Sequence, residues 1–197
     1  KSVLTGFKYI GGEILELEQK GQQDKFIFGF EESCGYLKGT YARDKDAVVA
    51  SMLICELAAA LKMEGKSILD ALNGIYETYG PYLAYVQNIE LTGADAMEKA
   101  ANMMAELRKS VPEAIGGAKV TVVRDYRTSI SKNVETGEET VINLPKSNVL
   151  EFILGNEGSV IARPSGTEPK IKFYMGVKGT SLEDSEKKLE KLTEDLK

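Results

Sequence analysis

Lys170-Ile-Lys-Phe-Tyr-Met-Gly-Val177 decides the architecture of the second half of this chain. Ile171, Phe173, Met175 and Val177 fall on one side of a two-residue period, and Lys170, Lys172 and Tyr174 on the other. That alternation predicts an antiparallel strand with one face in a core and one toward water. Working outward, further strands are expected over 82–91, 119–130, 139–144, 149–154 and 159–163. Turns such as Glu135-Thr-Gly-Glu and Gly155-Asn-Glu-Gly separate them. A helix is expected from Thr92 or Asp95 to Ser110, with Ala96, Met97, Ala100, Met103, Met104 and Leu107 on one face. A last helix begins near 182, behind a Ser181/Asp184 capping pair, with Leu182, Leu189, Leu192 and Leu196 on one face. An antiparallel sheet covered by helices is an α+β domain.

The first half reads differently. Residues 47–61 are apolar nearly all round, but Ser51 and Glu56 interrupt a run well short of the ~20 residues of a membrane span. A buried helix is expected there, capped by Asp44 or Asp46. A second helix over 67–79 stops before Gly80-Pro81, which sets the expected domain boundary: 1–80 and 81–197. Lys25-Phe-Ile-Phe-Gly29 reads as an apolar strand. The expected fold class is an α/β partial domain, a mixed sheet with helices, followed by the α+β domain.

Bulk properties narrow the function classes. The chain has 197 residues, 43% hydrophobic and 28% charged, so a folded globular protein is expected. A net charge of −5 and the lack of any dense Lys/Arg run argue against nucleic acid as a partner. Two cysteines, Cys34 and Cys55, form no disulfide framework and suit a reducing compartment. With no histidine, acid–base work falls to Asp, Glu, Lys or Tyr. The opening Lys1-Ser-Val-Leu-Thr is neither an initiator nor a signal peptide and reads as a cut inside a longer protein.

Four segments can carry chemistry. In Arg163-Pro-Ser-Gly-Thr-Glu-Pro-Lys170, Arg163 offers a planar donor fork, Ser165 and Thr167 offer hydroxyls, and Gly166 lets backbone N–H groups approach an anion. Lys170 adds a point charge, and two prolines stiffen the ends. The plainer alternative is a Gly-Pro hairpin loop. In Gly29-Phe-Glu-Glu-Ser-Cys-Gly35, Glu31, Glu32 and Ser33 suit sugar hydroxyls, although a polar turn needs the same residues. Thr5-Gly-Phe-Lys-Tyr9 sets Lys8 between aromatic residues, where its ammonium serves a site or its stem simply snorkels. In Arg43-Asp-Lys-Asp46, the D-x-D pair lacks a third oxygen ligand and opens a helix, so capping is the better reading.

Taken in order, these four segments resemble the α-D-phosphohexomutases, closest to the bacterial phosphoglucomutase branch. The resemblance spans nearly the whole chain. It implies the latter part of a third, α/β domain and a fourth, α+β domain that swings to close a cleft. It implies that Glu31 and Ser33, with Glu32 less firmly, hold sugar hydroxyls. Arg163, Ser165, Gly166 and Thr167, with Lys170 beside them, grip the phosphate that does not react. Lys8 lines the reacting end as the catalytic lysine, and Arg43 and Lys45 neighbour the cleft. No segment resembles the Thr-x-Ser-His-Asn-Pro phosphoserine loop or a full D-x-D-x-D magnesium loop. The chain is therefore expected to supply substrate binding and to be inactive alone. Mg²⁺, with ligands outside this chain, and glucose 1,6-bisphosphate belong to the whole enzyme. Its implied partners are a hexose phosphate and the N-terminal domains of the same polypeptide, with no membrane, and its implied location is cytoplasmic. Phosphomannomutase, phosphopentomutase and a non-catalytic sugar-phosphate binding module are the alternatives.

Overall fold

A computed structural model describes residues 1–31, 34–166 and 168–196. The chain divides into two compact units, Lys1–Ile75 and Tyr76–Lys197.

Unit 1 opens with helix α1 (Phe7–Gln19), which the sequence reading did not anticipate. Its N-cap is Gly6, at φ 127°, with no side-chain cap hydrogen bond, so the usual Ser/Thr/Asp start signal is missing. What holds it is the spacing of Phe7, Ile10 and Ile14, which are buried with Leu37 and flanked by Val3, Phe26 and Ala42. The expected strand at 25–29 is shifted. A 3₁₀ turn covers Gln23–Lys25, and strand β1 is Phe28–Glu31. It pairs antiparallel with β2 (Gly35–Lys38), Glu31 opposite Gly35.

Helix α2 (Ala47–Met63) is capped by Asp46, whose side chain accepts from the Val48 and Val49 amides. It forms where expected but is not buried: none of its residues lies in a core, and Val48 is 80% and Met63 91% exposed. Being apolar all round, it has no single face to bury, and it packs chiefly against β2. Helix α3 (Ile68–Tyr79) follows, and the division between the units falls inside it.

Unit 2 is built on a seven-stranded antiparallel sheet. Its strands are β3 (Tyr82–Glu90), β6 (Val122–Asp125), β7 (Ile130–Asn133), β8 (Glu139–Val141), β9 (Leu150–Ile153), β10 (Gly158–Pro164) and β11 (Lys170–Lys178). Their order is β3-β11-β10-β9-β6-β7-β8. A small hairpin, β4 (Ala114–Ile115) with β5 (Ala118–Lys119), stands apart from it. The single strand expected over 119–130 is thus three pieces. Strand β11 keeps the predicted alternation, with Ile171, Phe173, Met175 and Val177 buried, and Tyr174 is buried as well.

Helices α4 (Ala96–Lys109) and α5 (Leu182–Asp195) pack on this sheet. Ala100, Met104 and Leu192 join the core, whereas Met97 and Leu182 are 51% and 45% exposed and correct the expected faces. Ser181 caps α5 as predicted, accepting from the Asp184 amide. The α/β and α+β sequence of fold classes therefore holds. No helix among the described residues is long and apolar enough to cross a membrane.

Candidate functional site

Three of the predicted site residues of unit 1 line one open groove of about 880 Å³: Lys8, Arg43 and Lys45. Helix α1 supplies the first, and the segment entering α2 supplies the others. The two walls meet closely at buried Gly11, where an added Cβ would stand 2.9 Å from the Arg43 carbonyl oxygen.

Lys45 is fixed from several sides. Its Nζ lies 2.9 Å from Asp44 Oδ1 and 5.4 Å from the centroid of the Phe7 ring. The Asp44 hydrogen bond holds the ammonium above its usual pKa and the Asp44 carboxyl below its own. Gly35 leaves room for this lysine. A Cβ there would meet Lys45 Cγ at 2.8 Å and Glu31 Oε2 at 3.0 Å. Lys45 and Glu31 therefore flank the same glycine, so the second and fourth predicted segments converge. Lys8 is exposed, with Nζ 5.0 Å from the Tyr9 ring centroid. Glu32 and Ser33 lie outside the described residues.

Among the described residues no group of three or more Cys, Asp or Glu side chains could hold a metal ion. The D-x-D pair is committed elsewhere, Asp44 to Lys45 and Asp46 to the α2 cap and the Tyr41 hydroxyl. The donor set present does not fit Mg²⁺.

In unit 2 the 163–170 segment runs from the end of β10 into the start of β11, and hydrogen bonds join its two sides. The Ser165 amide donates to the Lys170 carbonyl at 2.8 Å, and the Glu168 amide to Ser165 Oγ at 3.2 Å. Gly166 is exposed, with open space where a side chain would stand. Thr167 lies outside the described residues. Lys170 is less free than its charge suggests. It pairs with Glu168 at 2.7 Å, which raises its pKa and lowers that of the glutamate.

Arg163 is half-buried, and its Nη1 lies 3.5 Å from the Tyr174 hydroxyl. The sheet register sets Lys172 directly opposite it. Neither cation forms an ion pair among the described residues. Two like charges directly opposite on adjacent strands repel, so a bound anion would relieve the pair. Sequence reasoning did not single out Lys172 as a candidate site residue. The alternation of 170–177 put it on the outward face, but only the register brings it to Arg163.

The phosphoglucomutase/phosphomannomutase alpha/beta/alpha domain III family matches residues 1–79, and the C-terminal domain family of the same enzymes matches residues 88–192. A phosphoglucomutase of Staphylococcus aureus (strain bovine RF122 / ET3-1) is 41% identical over 189 residues, 96% of this chain and 34% of the relative. That of strain MSSA476 is 40% identical over the same span. The chain thus spans about a third of the length of the curated relatives it matches. In fold it is similar to the open form of the Paramecium exocytosis-sensitive phosphoprotein pp63/parafusin, a phosphoglucomutase. The TM-score is 0.56 at 17% identity, covering 90% of this chain and 29% of that one. With the domain III match followed in order by the C-terminal domain match, the chain belongs to the phosphoglucomutase/phosphomannomutase family.

Proposed function

We propose that this chain is the substrate-gripping part of a phosphoglucomutase, interconverting glucose 1-phosphate and glucose 6-phosphate through a bisphosphate. The observation that carries the reading is the half-buried Arg163 standing opposite Lys172, with no ion pair to either among the described residues, beside the open loop at Gly166. A guanidinium fork and an ammonium beside exposed backbone recognise a phosphate dianion by charge and geometry, whichever sugar carbon bears it. A mutase needs that indifference, because its substrate must be held in two orientations. Ser165 and Thr167 are the hydroxyls of this grip, and Lys170 borders it.

Unit 1 supplies the sugar-facing groups. Glu31, with Glu32 and Ser33 next in sequence, accepts from sugar hydroxyls, and Lys45 lies beside it. Lys8 is the cation for the reacting phosphoryl group, where catalysis rests on positioning and charge stabilisation. A Mg²⁺ requirement, glucose 1,6-bisphosphate as intermediate, further domains of the same polypeptide and a cytoplasmic location belong to the same reading.

The family description names phosphomannomutases too, so mannose 1-phosphate is the alternative substrate. Calorimetric titration of the chain with glucose 1-phosphate, glucose 1,6-bisphosphate and mannose 1-phosphate tests both readings. Binding should be lost in Arg163→Ala. Equal binding by the variant removes the phosphate grip, and preference for mannose 1-phosphate moves the substrate.

A further inference from the structure

Arg43 borders the groove, yet its side chain is committed elsewhere. Nη2 forms an ion pair with Glu18, in the C-terminal half of α1, and Nη1 donates to the Thr40 carbonyl at 2.6 Å. The segment is fastened at its other end as well. The Asp46 amide donates to the Tyr36 carbonyl of β2 at 2.8 Å, and the Tyr41 hydroxyl donates to the Asp46 carboxylate. Lys45 stands between these fastenings, its ammonium near the Phe7 ring and its stem against Gly35. A lysine side chain is a flexible stem, so its reach is set by where its backbone is held.

A guanidinium already shared with a carboxylate and a carbonyl has fewer of its five N–H donors left for a substrate anion. We infer that Arg43 is a positioning residue: with Glu18 it latches the 40–46 segment to α1, so that Lys45 stands over Phe7 and beside Glu31. The latch rests on the proposed function only in giving Lys45 a ligand to meet. An exposed ion pair adds little to global stability, so breaking this one releases the lysine without loosening the fold.

The test is NMR of the isotopically labelled 197-residue chain and its Glu18→Gln, Arg43→Gln and doubly substituted forms. The Phe7 ring current displaces the Lys45 side-chain resonances. Either single substitution should abolish that displacement, with unchanged melting temperature, and the double should add nothing further. Lys45 resonances that stay in place in Glu18→Gln overturn the latch. Titration with glucose 1-phosphate separates the remaining case. If Arg43 touched the ligand itself, Glu18→Gln would free the guanidinium and tighten binding while Arg43→Gln weakened it, and that divergence also overturns the latch. Loss of the displacement in both variants, with unaltered glucose 1-phosphate affinity in Lys45→Met, supports the latch and removes only the sugar-site reading.

Discussion

Gly35 and Gly158 both have atoms where a side chain would stand, but with different consequences. At Gly35 the atoms in the way belong mainly to the flexible Lys45 side chain, so an added methyl would displace that lysine and leave the fold standing. At Gly158 the backbone is at φ 154°, and a Cβ would meet the Gly176 carbonyl carbon at 2.9 Å and Val177 Cα at 3.0 Å. Nothing there can rotate away, because Gly158 pairs with Val177 in the β10–β11 ladder. Gly158→Ala should therefore cost unit 2 about 2–4 kcal/mol, through strain and a disturbed ladder, measured as a shift in urea midpoint. Cys34 shows the same economy without a glycine. It adopts φ 66° within the predicted sugar segment, a conformation rare for residues with a side chain.

Among the elements, β6 and β9 carry a polar cluster that the alternation of single strands does not reveal. Arg124 and Glu151 are cross-strand partners, joined at 3.2 Å, and the Tyr126 hydroxyl donates to the same Glu151 oxygen at 2.7 Å. Burial first, then the Glu151 hydrogen bond, pushes the Tyr126 phenol up to about 12 from an ordinary 10.0. The folded state thus favours the protonated phenol. Its contribution to stability is fully present below the unfolded value and is lost as pH rises from about 10 to about 12. Thermal unfolding followed across that window should show a falling midpoint, with a shallower fall in Tyr126→Phe. Local signals made other elements legible. The Asp46 and Ser181 caps and the period of β11 each depend on residues a few positions apart. Helix α1 escaped notice because a glycine stands where a capping side chain is usual. The 119–130 stretch read as one strand, although it is interrupted at 120–121 and turns at 126–129.

At the scale of the whole molecule, the two units differ in how much apolar surface each buries. Among the described residues, the core of unit 2 has fourteen buried residues, running from Ala100 to Leu192, and that of unit 1 has four, Phe7, Ile10, Ile14 and Leu37. Burial of apolar surface is the main stabilising term, so unit 1 should open at lower free energy. Amide hydrogen exchange should show the Ile10 and Ile14 amides of α1 exchanging well before those of Phe173 and Met175 in β11. Equal protection in both would mean that the chain opens as one cooperative unit.

The sequence by itself determined the α/β and α+β order of folds, the half-buried strand at 170–177, the Ser181 cap of α5, a cap for α2 at Asp44 or Asp46, and the segments that carry Glu31 and Arg163. All of these follow from neighbours in the chain, through periodicity, capping and turn chemistry. Only the tertiary structure decided that Lys172 stands opposite Arg163, that Arg43 is tied to Glu18, and that α2 leaves most of its apolar surface uncovered. Register, ion-pair partners and burial depend on which distant segments return to lie alongside. No local pattern encodes that return, because each lysine, arginine or apolar helix face has many partners it could meet and the packed fold selects one.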